Sequence, residues 1–178
     1  MSFRDLKMQL FLDTSVIVIL WQTSLLDKLR ALSRLTGVSI AVTPQVLGEL
    51  AKGPPANLEA VRRACREGWM HVLSPGEGLI EELQLMFPNL GEGELSVIAC
   101  VKTSMGAVAI LDDERARRAA DELGLAYHGT LWLVMKMKRS GLLSRQEALK
   151  VVEELVLHHF YVSEEIMVQV VSSIERDC

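Results

Sequence analysis

Short runs of β-branched and other apolar residues alternate along this chain with longer stretches of helical periodicity, a pattern that restricts it to an α/β fold with a mostly parallel sheet. The strand candidates are residues 9–13, 38–42, 107–111 and 125–128. The WMHVL run at 69–73 reads as a further strand or an edge segment. The chain has 178 residues, enough for one domain with a sizeable core. Its one proline pair is Pro54-Pro55, and no repeat or low-complexity segment is visible, so the whole chain, 1–178, is read as one unit.

Helix boundaries are marked by local chemistry. Thr43 reads as an N-cap with Pro44 at the first helical position, and Gly53 reads as the end of that helix. Leu58, Val61 and Cys65 give the helical spacing of a segment over 57–67. Ala116, Ala119, Ala120 and Leu123 repeat on one face after the pair Asp112-Asp113, with Gly124 as the closing residue. Thr130 opens a helix whose first turns, LWLVM, are apolar nearly all round, which predicts burial. From 144 onward the pattern is helical, beginning with the capping-box spacing of Ser144 and Glu147.

Five acids sit where a strand ends or a helix begins: Asp13, Glu49, Glu94, Asp112 and Asp113. In an open α/β sheet ligands bind beyond the carboxyl ends of the strands, so acids gathered there are placed for chemistry. At an effective dielectric of about 20, two anions about 4 Å apart repel by roughly 4 kcal/mol, so such a cluster asks for a cation. Each acid also has a structural reading. Asp13 can cap the helix that starts near Val16, and Glu49, on the same face as Val46, can reach to water at an amphipathic boundary. Glu94 can stabilise a helix dipole, a role for which Glu92 competes, and either Asp112 or Asp113 can be an N-cap.

Composition narrows the rest. The net charge of −4 argues against a basic nucleic-acid footprint over the whole surface, although a local basic patch beside bound cations suffices for contact. Three scattered cysteines, Cys65, Cys100 and Cys178, make neither a disulfide framework nor a cysteine-rich zinc site, and they point to a reducing, cytoplasmic compartment. No segment has the apolar length of a membrane span.

The stretches DTSVIVIL (13–20), VLGEL (46–50), LGEGELSVIA (90–99), LDDERARRAA (111–120) and GT (129–130) occur in an order that resembles PIN-domain proteins. The similarity is greatest to a bacterial and archaeal PIN-like subgroup whose pattern runs DTSxLI, VxxEL, LGxGEAEAI, LxDDxxAR and GT. It covers about residues 10–142, and the C-terminal helical extension from about 144 matches only in general character. This resemblance implies a three-layer α/β/α sandwich with an acidic pocket like those of metal-dependent ribonucleases, VapC-type toxins among them. Carried over by position, Asp13, Glu49, Glu94 and Asp112 or Asp113 would be the metal-binding, catalytic acids, supported by Thr14, Ser15 and Thr130. The family places its functional acid after the second glycine of LGEGEL, which favours Glu94 over Glu92. The chain departs from the subgroup at Ser96, where a second glutamate is usual, and at Val16, where proline is common.

Oxygen donors without a nearby cysteine or histidine favour Mg²⁺ or Mn²⁺ over Zn²⁺. Arg115, Arg117 and Arg118, next in sequence to the acids, are the candidates for contacting an RNA phosphate, with Lys136, Lys138 and Arg139 a weaker set whose basic charge also suits a helix C-terminus. The toxin resemblance implies an antitoxin partner, and the apolar stretches 131–135 and 151–157 leave room for a homodimer or antitoxin interface, though core packing explains them as well. A haloacid-dehalogenase-type phosphatase would need an acid two residues after Asp13, where Ser15 stands. The remaining alternative is a non-catalytic PIN-like module that binds RNA or protein.

Overall fold

The computed structural model describes residues 8–157 and 164–176. Five strands, β1 (Gln9–Leu12), β2 (Ser39–Val42), β3 (Met70–Val72), β4 (Ala107–Ile110) and β5 (Tyr127–His128), pair in parallel in the order β3-β2-β1-β4-β5. Helices α1 (Thr14–Gln22) and α2 (Leu26–Thr36) link β1 to β2, and α3 (Pro44–Leu50) and α4 (Pro55–Arg66) link β2 to β3. The chain then crosses through α5 (Leu79–Met86) and α6 (Glu92–Thr103) to β4, and through α7 (Glu114–Glu122) to β5. The helices α8 (Thr130–Arg139), α9 (Arg145–Leu157) and α10 (Glu164–Arg176) complete the described chain.

Strand order reverses at β1, because β2 lies on one side of it and β4 on the other. Right-handed crossovers going opposite ways from a central strand put their helices on opposite faces of the sheet. Within each set the helices pack together, α1, α3 and α4 touching one another as α6 touches α5 and α7, and the two sets meet where α3 packs against α6. The result is the three-layer α/β/α sandwich. Leu10, Phe11, Leu12, Ile40 and Ile110 are buried in the middle layer, and every residue of β4 is buried, as expected for a strand covered on both faces.

Most sequence boundaries hold to within a residue or two, and the differences have local causes. The strand expected over 125–128 shortens to Tyr127–His128 because the preceding residues terminate α7. Gly124 adopts φ +65°, its N–H donates to Asp121 O (3.0 Å) and the Leu125 N–H donates to Ala120 O (2.9 Å), a Schellman closure. The helix expected to run to Gly53 ends at Leu50, and Gly53 instead closes a turn onto Leu50 O. The capping box forms as expected, with the Glu147 N–H donating to Ser144 Oγ (3.1 Å) and the Ser144 N–H to Glu147 Oε2 (2.7 Å). Leu131, Leu133, Val134 and Met135, like Val151, Val152 and Leu155, are buried in the chain's own core, which explains their apolar character without a partner. Among the described residues no helix is long and apolar enough to cross a membrane. His158, His159 and Cys178 lie outside the described residues.

Candidate metal centre

The reversal of strand order opens a crevice between the carboxyl ends of β1 and β4, and the acids fall around it. Asp13 follows β1 directly and caps α1, so the structural reading of this residue is realised. Its Oδ2 accepts from the Ser15 hydroxyl (2.9 Å) and, more weakly, from the Ser15 N–H (3.4 Å). Capping leaves the other oxygen unused: Oδ1 is buried and has no hydrogen-bond partner, on a residue only 4% exposed. Burial pushes the Asp13 carboxyl above its ordinary range, and the neighbouring charge of Glu49 pushes it further the same way.

Glu49 stands half-buried one turn after buried Val46 on α3. Its Oε2 accepts from the Thr14 hydroxyl (2.5 Å), and its Oε1 accepts from the Gly93 N–H at the start of α6 (2.8 Å). The carboxylate therefore rests on the positive end of a twelve-residue helix. It reaches that position because residue 93 has no side chain. A Cβ built there would meet Glu49 Oε2 at 2.3 Å and its carboxyl carbon at 2.6 Å.

Glu94, three residues into the same helix, accepts through Oε2 from the Gly91 N–H (2.9 Å), half of a capping box whose other half glycine cannot supply. Its carboxyl is raised by burial first and then by the charges of Asp13 and Asp113, while Arg115 acts in the opposite sense. Asp13, Glu49, Glu94 and Asp113 are thus linked by mutual charge around the crevice.

The two adjacent aspartates divide. Asp113 caps α7, with Oδ1 accepting from the Arg115 N–H (2.8 Å) and the Ala116 N–H (3.2 Å), and it pairs with the Arg115 guanidinium (3.3 Å). Burial would raise its carboxyl, but these hydrogen bonds outweigh burial and hold it below the ordinary range. Asp112 turns to α8 instead: Oδ1 accepts from the Thr130 N–H (2.8 Å) and Oδ2 from the Thr130 hydroxyl (2.6 Å). Burial raises its carboxyl against the pull of those bonds and of Arg117. Gly129 makes the contact possible, since a Cβ there would lie 2.9 Å from Asp112 Oδ1.

A family model described as a PIN domain matches residues 9–176. The chain belongs to the PIN-domain family. No curated protein matches it. The family assignment gives this crevice a nuclease-type fold.

Within the PIN fold, the acids are separately held by their scaffold: among the described residues no three His, Cys, Asp or Glu side chains converge into a ready-made metal cage. Donor chemistry nonetheless fits a hard divalent cation, because the set is entirely carboxylate and includes the orphaned, buried Asp13 Oδ1. Arg115 lies between Asp113 and the charge of Glu94, whereas Arg118 pairs with Glu114 along the exposed side of α7. Arg117 is the arginine next to Asp112, with its Nη1 3.6 Å from where a Gly129 Cβ would be.

Sequence reading did not single out Gly93 or Gly129. The signal was present in both: each glycine lies inside a motif, yet neither has the positive φ that would explain glycine by backbone conformation. Lys52 borders, with Gln45, Gly48, Glu49 and Glu92, a surface hollow of about 400 Å³. At Ser96 the usual glutamate is replaced by a fully buried hydroxyl that contacts Thr43 Oγ1 (2.6 Å) and donates to Gly93 O (2.6 Å), joining the start of α6 to the cap of α3.

Proposed function

We propose that this PIN-domain protein is a divalent-cation-dependent ribonuclease that hydrolyses phosphodiester bonds of single-stranded RNA. The observation that carries this reading is the buried Asp13 Oδ1, unpartnered at the switch point of the sheet beside two further carboxylates. Asp13, Glu49 and Glu94 would hold Mg²⁺ or Mn²⁺, with Asp113 contributing from the rim through its proximity to Glu94. Asp112 shares the strand end, and we assign it the holding of Thr130 and the α8 N-terminus. When bound, such an ion supplies Lewis-acid polarisation of the phosphate and lowers the pKa of attacking water.

The protein's own groups bind and orient. Thr14 and the Gly93 N–H fix the Glu49 carboxylate and Ser15 fixes one oxygen of Asp13, so that Asp13 Oδ1 and the remaining lone pairs of Glu49 have defined directions. Arg115, beside Asp113 and the charge of Glu94, and Lys52, which borders the same hollow as Glu49, would meet phosphate charge, while Arg118, engaged with Glu114, is the weaker candidate. The test is cleavage of single-stranded RNA with Mn²⁺ by the parent and by Asp13→Asn. Loss of cleavage in a folded variant supports the assignment, and cleavage equal to the parent's contradicts it.

A second reading, a PIN-like module that binds RNA or protein without cutting it, is favoured by the acids being hydrogen-bonded to their own scaffold. A toxin role with an antitoxin partner and a cytoplasmic location rest on family resemblance and cysteine usage, and a homodimer on the apolar stretches 131–135 and 151–157, of which Leu131, Leu133, Val134, Met135, Val151, Val152 and Leu155 are buried in the chain's own core.

A further inference from the structure

Beside the carboxylates, at the same ends of the strands, stands an aromatic pair that the acid chemistry does not use. His128 ends β5 in register with Ile110 of β4, and its carbonyl accepts from the Leu111 N–H (2.8 Å), one residue before Asp112. Its imidazole lies nearly parallel to the indole of Trp132, with ring centres 4.1 Å apart and planes 13° apart. Trp132 is half-buried against the core, and Lys136 Nζ lies 5.2 Å from its ring centre. His128 remains exposed although one ring face lies against the indole. Burial first and Lys136 second lower the His128 pKa, which keeps the ring neutral near pH 7.

We propose that the His128–Trp132 pair is a stacking platform for one nucleobase of the single-stranded nucleic acid whose backbone crosses the carboxylate crevice. The inference rests on the nuclease reading for the identity of the ligand and adds to it the group that would position the strand. A flat neutral ring backed by an indole offers a π-face that any base can use, so the pair would set where the strand lies rather than its sequence. The next two residues connect this platform to the acids: Gly129 admits Asp112, and Thr130 binds it through both N–H and hydroxyl. The platform is thereby tied through three consecutive residues to Asp112, the strut at the strand end beside the crevice.

The experiment measures binding of a fluorescein-labelled oligouridylate, and of an abasic ribose-phosphate oligomer of the same length, by anisotropy in Ca²⁺, with cleavage followed separately in Mn²⁺. The parent should bind the oligouridylate about tenfold more tightly than His128→Ala does, and His128→Phe should recover most of the difference. The abasic oligomer should bind parent and His128→Ala alike, and thermal stability and Mn²⁺ affinity should not change in either variant. Equal oligouridylate binding by parent and His128→Ala overturns the platform, as does a loss of the same size with the abasic oligomer. If the parent binds in this pattern without cleaving, the platform stands and the nuclease reading falls. If the parent binds no oligomer, both fall.

Discussion

Asp13 and Asp112 occupy equivalent places, at or just beyond the ends of neighbouring parallel strands, and their surroundings give them opposite characters. Asp112 has both oxygens engaged by Thr130 and a nearby arginine charge. Asp13 has one oxygen fixed by Ser15, the other buried without a partner, and a like charge next to it. Both carboxyls are raised by burial, so burial alone does not separate a ligand from a strut. Between these two aspartates the separation comes from whether the native fold already supplies the acceptor's partners; Glu49, with Oε1 and Oε2 each accepting one scaffold bond, would reach a cation only through the remaining lone pairs.

The largest expected effect that would break this contrast is on activity. Asp13→Asn should lower Mn²⁺-dependent cleavage by at least about 100-fold, since it alters a ligand rather than a supporting group, for which losses of 10- to 100-fold are usual. Gly93→Ala should come next. The added methyl cannot share space with the Glu49 carboxyl, so Glu49 must leave the α6 N-terminus, and cleavage should fall about 10- to 100-fold. A crystal structure of that variant with Glu49 unmoved would contradict the cause.

Stability should move in opposite directions for the two aspartates. Asp112 is also raised by burial, but Asp112→Asn gives up one of the two oxygens that accept from Thr130, a loss of about 1–3 kcal/mol that outweighs the relief of a buried charge and should lower Tm by several degrees. Asp13 has a folded-state pKa raised above the ordinary 3.8, so its contribution to stability is fully present below that value and is lost as pH rises through the folded pKa. Asp13→Asn should therefore raise Tm at pH 7 in chelator, and the gain should disappear as pH approaches 3.8. Differential scanning calorimetry at the two pH values checks both signs. The smallest effect is Arg118→Ala: its partner is Glu114 in an exposed pair, so RNA affinity and Tm should stay close to the parent's.

How much of this was legible in the sequence follows the range of the interactions. Alternating strand and helix patterns, the Thr43 cap and the Ser144–Glu147 box are written within a few residues, and they appear in the fold as read. Strand-end placement of Asp13 and of Asp112-Asp113 was equally local. The division of labour between those last two was not, because it depends on Thr130, 18 residues further on. Glu49 illustrates the same limit: its face on α3 follows from spacing with Val46, but its seat on the Gly93 N–H, 44 residues away, needs the layers to be assembled. Glycines are the hardest case, since an omitted side chain leaves no periodicity, and the reason for Gly93 and Gly129 is visible only when the carboxylates that fill their space are in place.

The central claim is that Asp13, unlike Asp112, is an unfilled acceptor for a cation, and calorimetric titration of Mn²⁺ into the parent, Asp13→Asn and Asp112→Asn at neutral pH tests it most directly. The parent should bind at or below millimolar Mn²⁺, Asp13→Asn should lose that binding, and Asp112→Asn should retain it while folded. A parent that shows no binding at millimolar Mn²⁺, or an Asp13→Asn variant that binds as tightly as the parent, would contradict it.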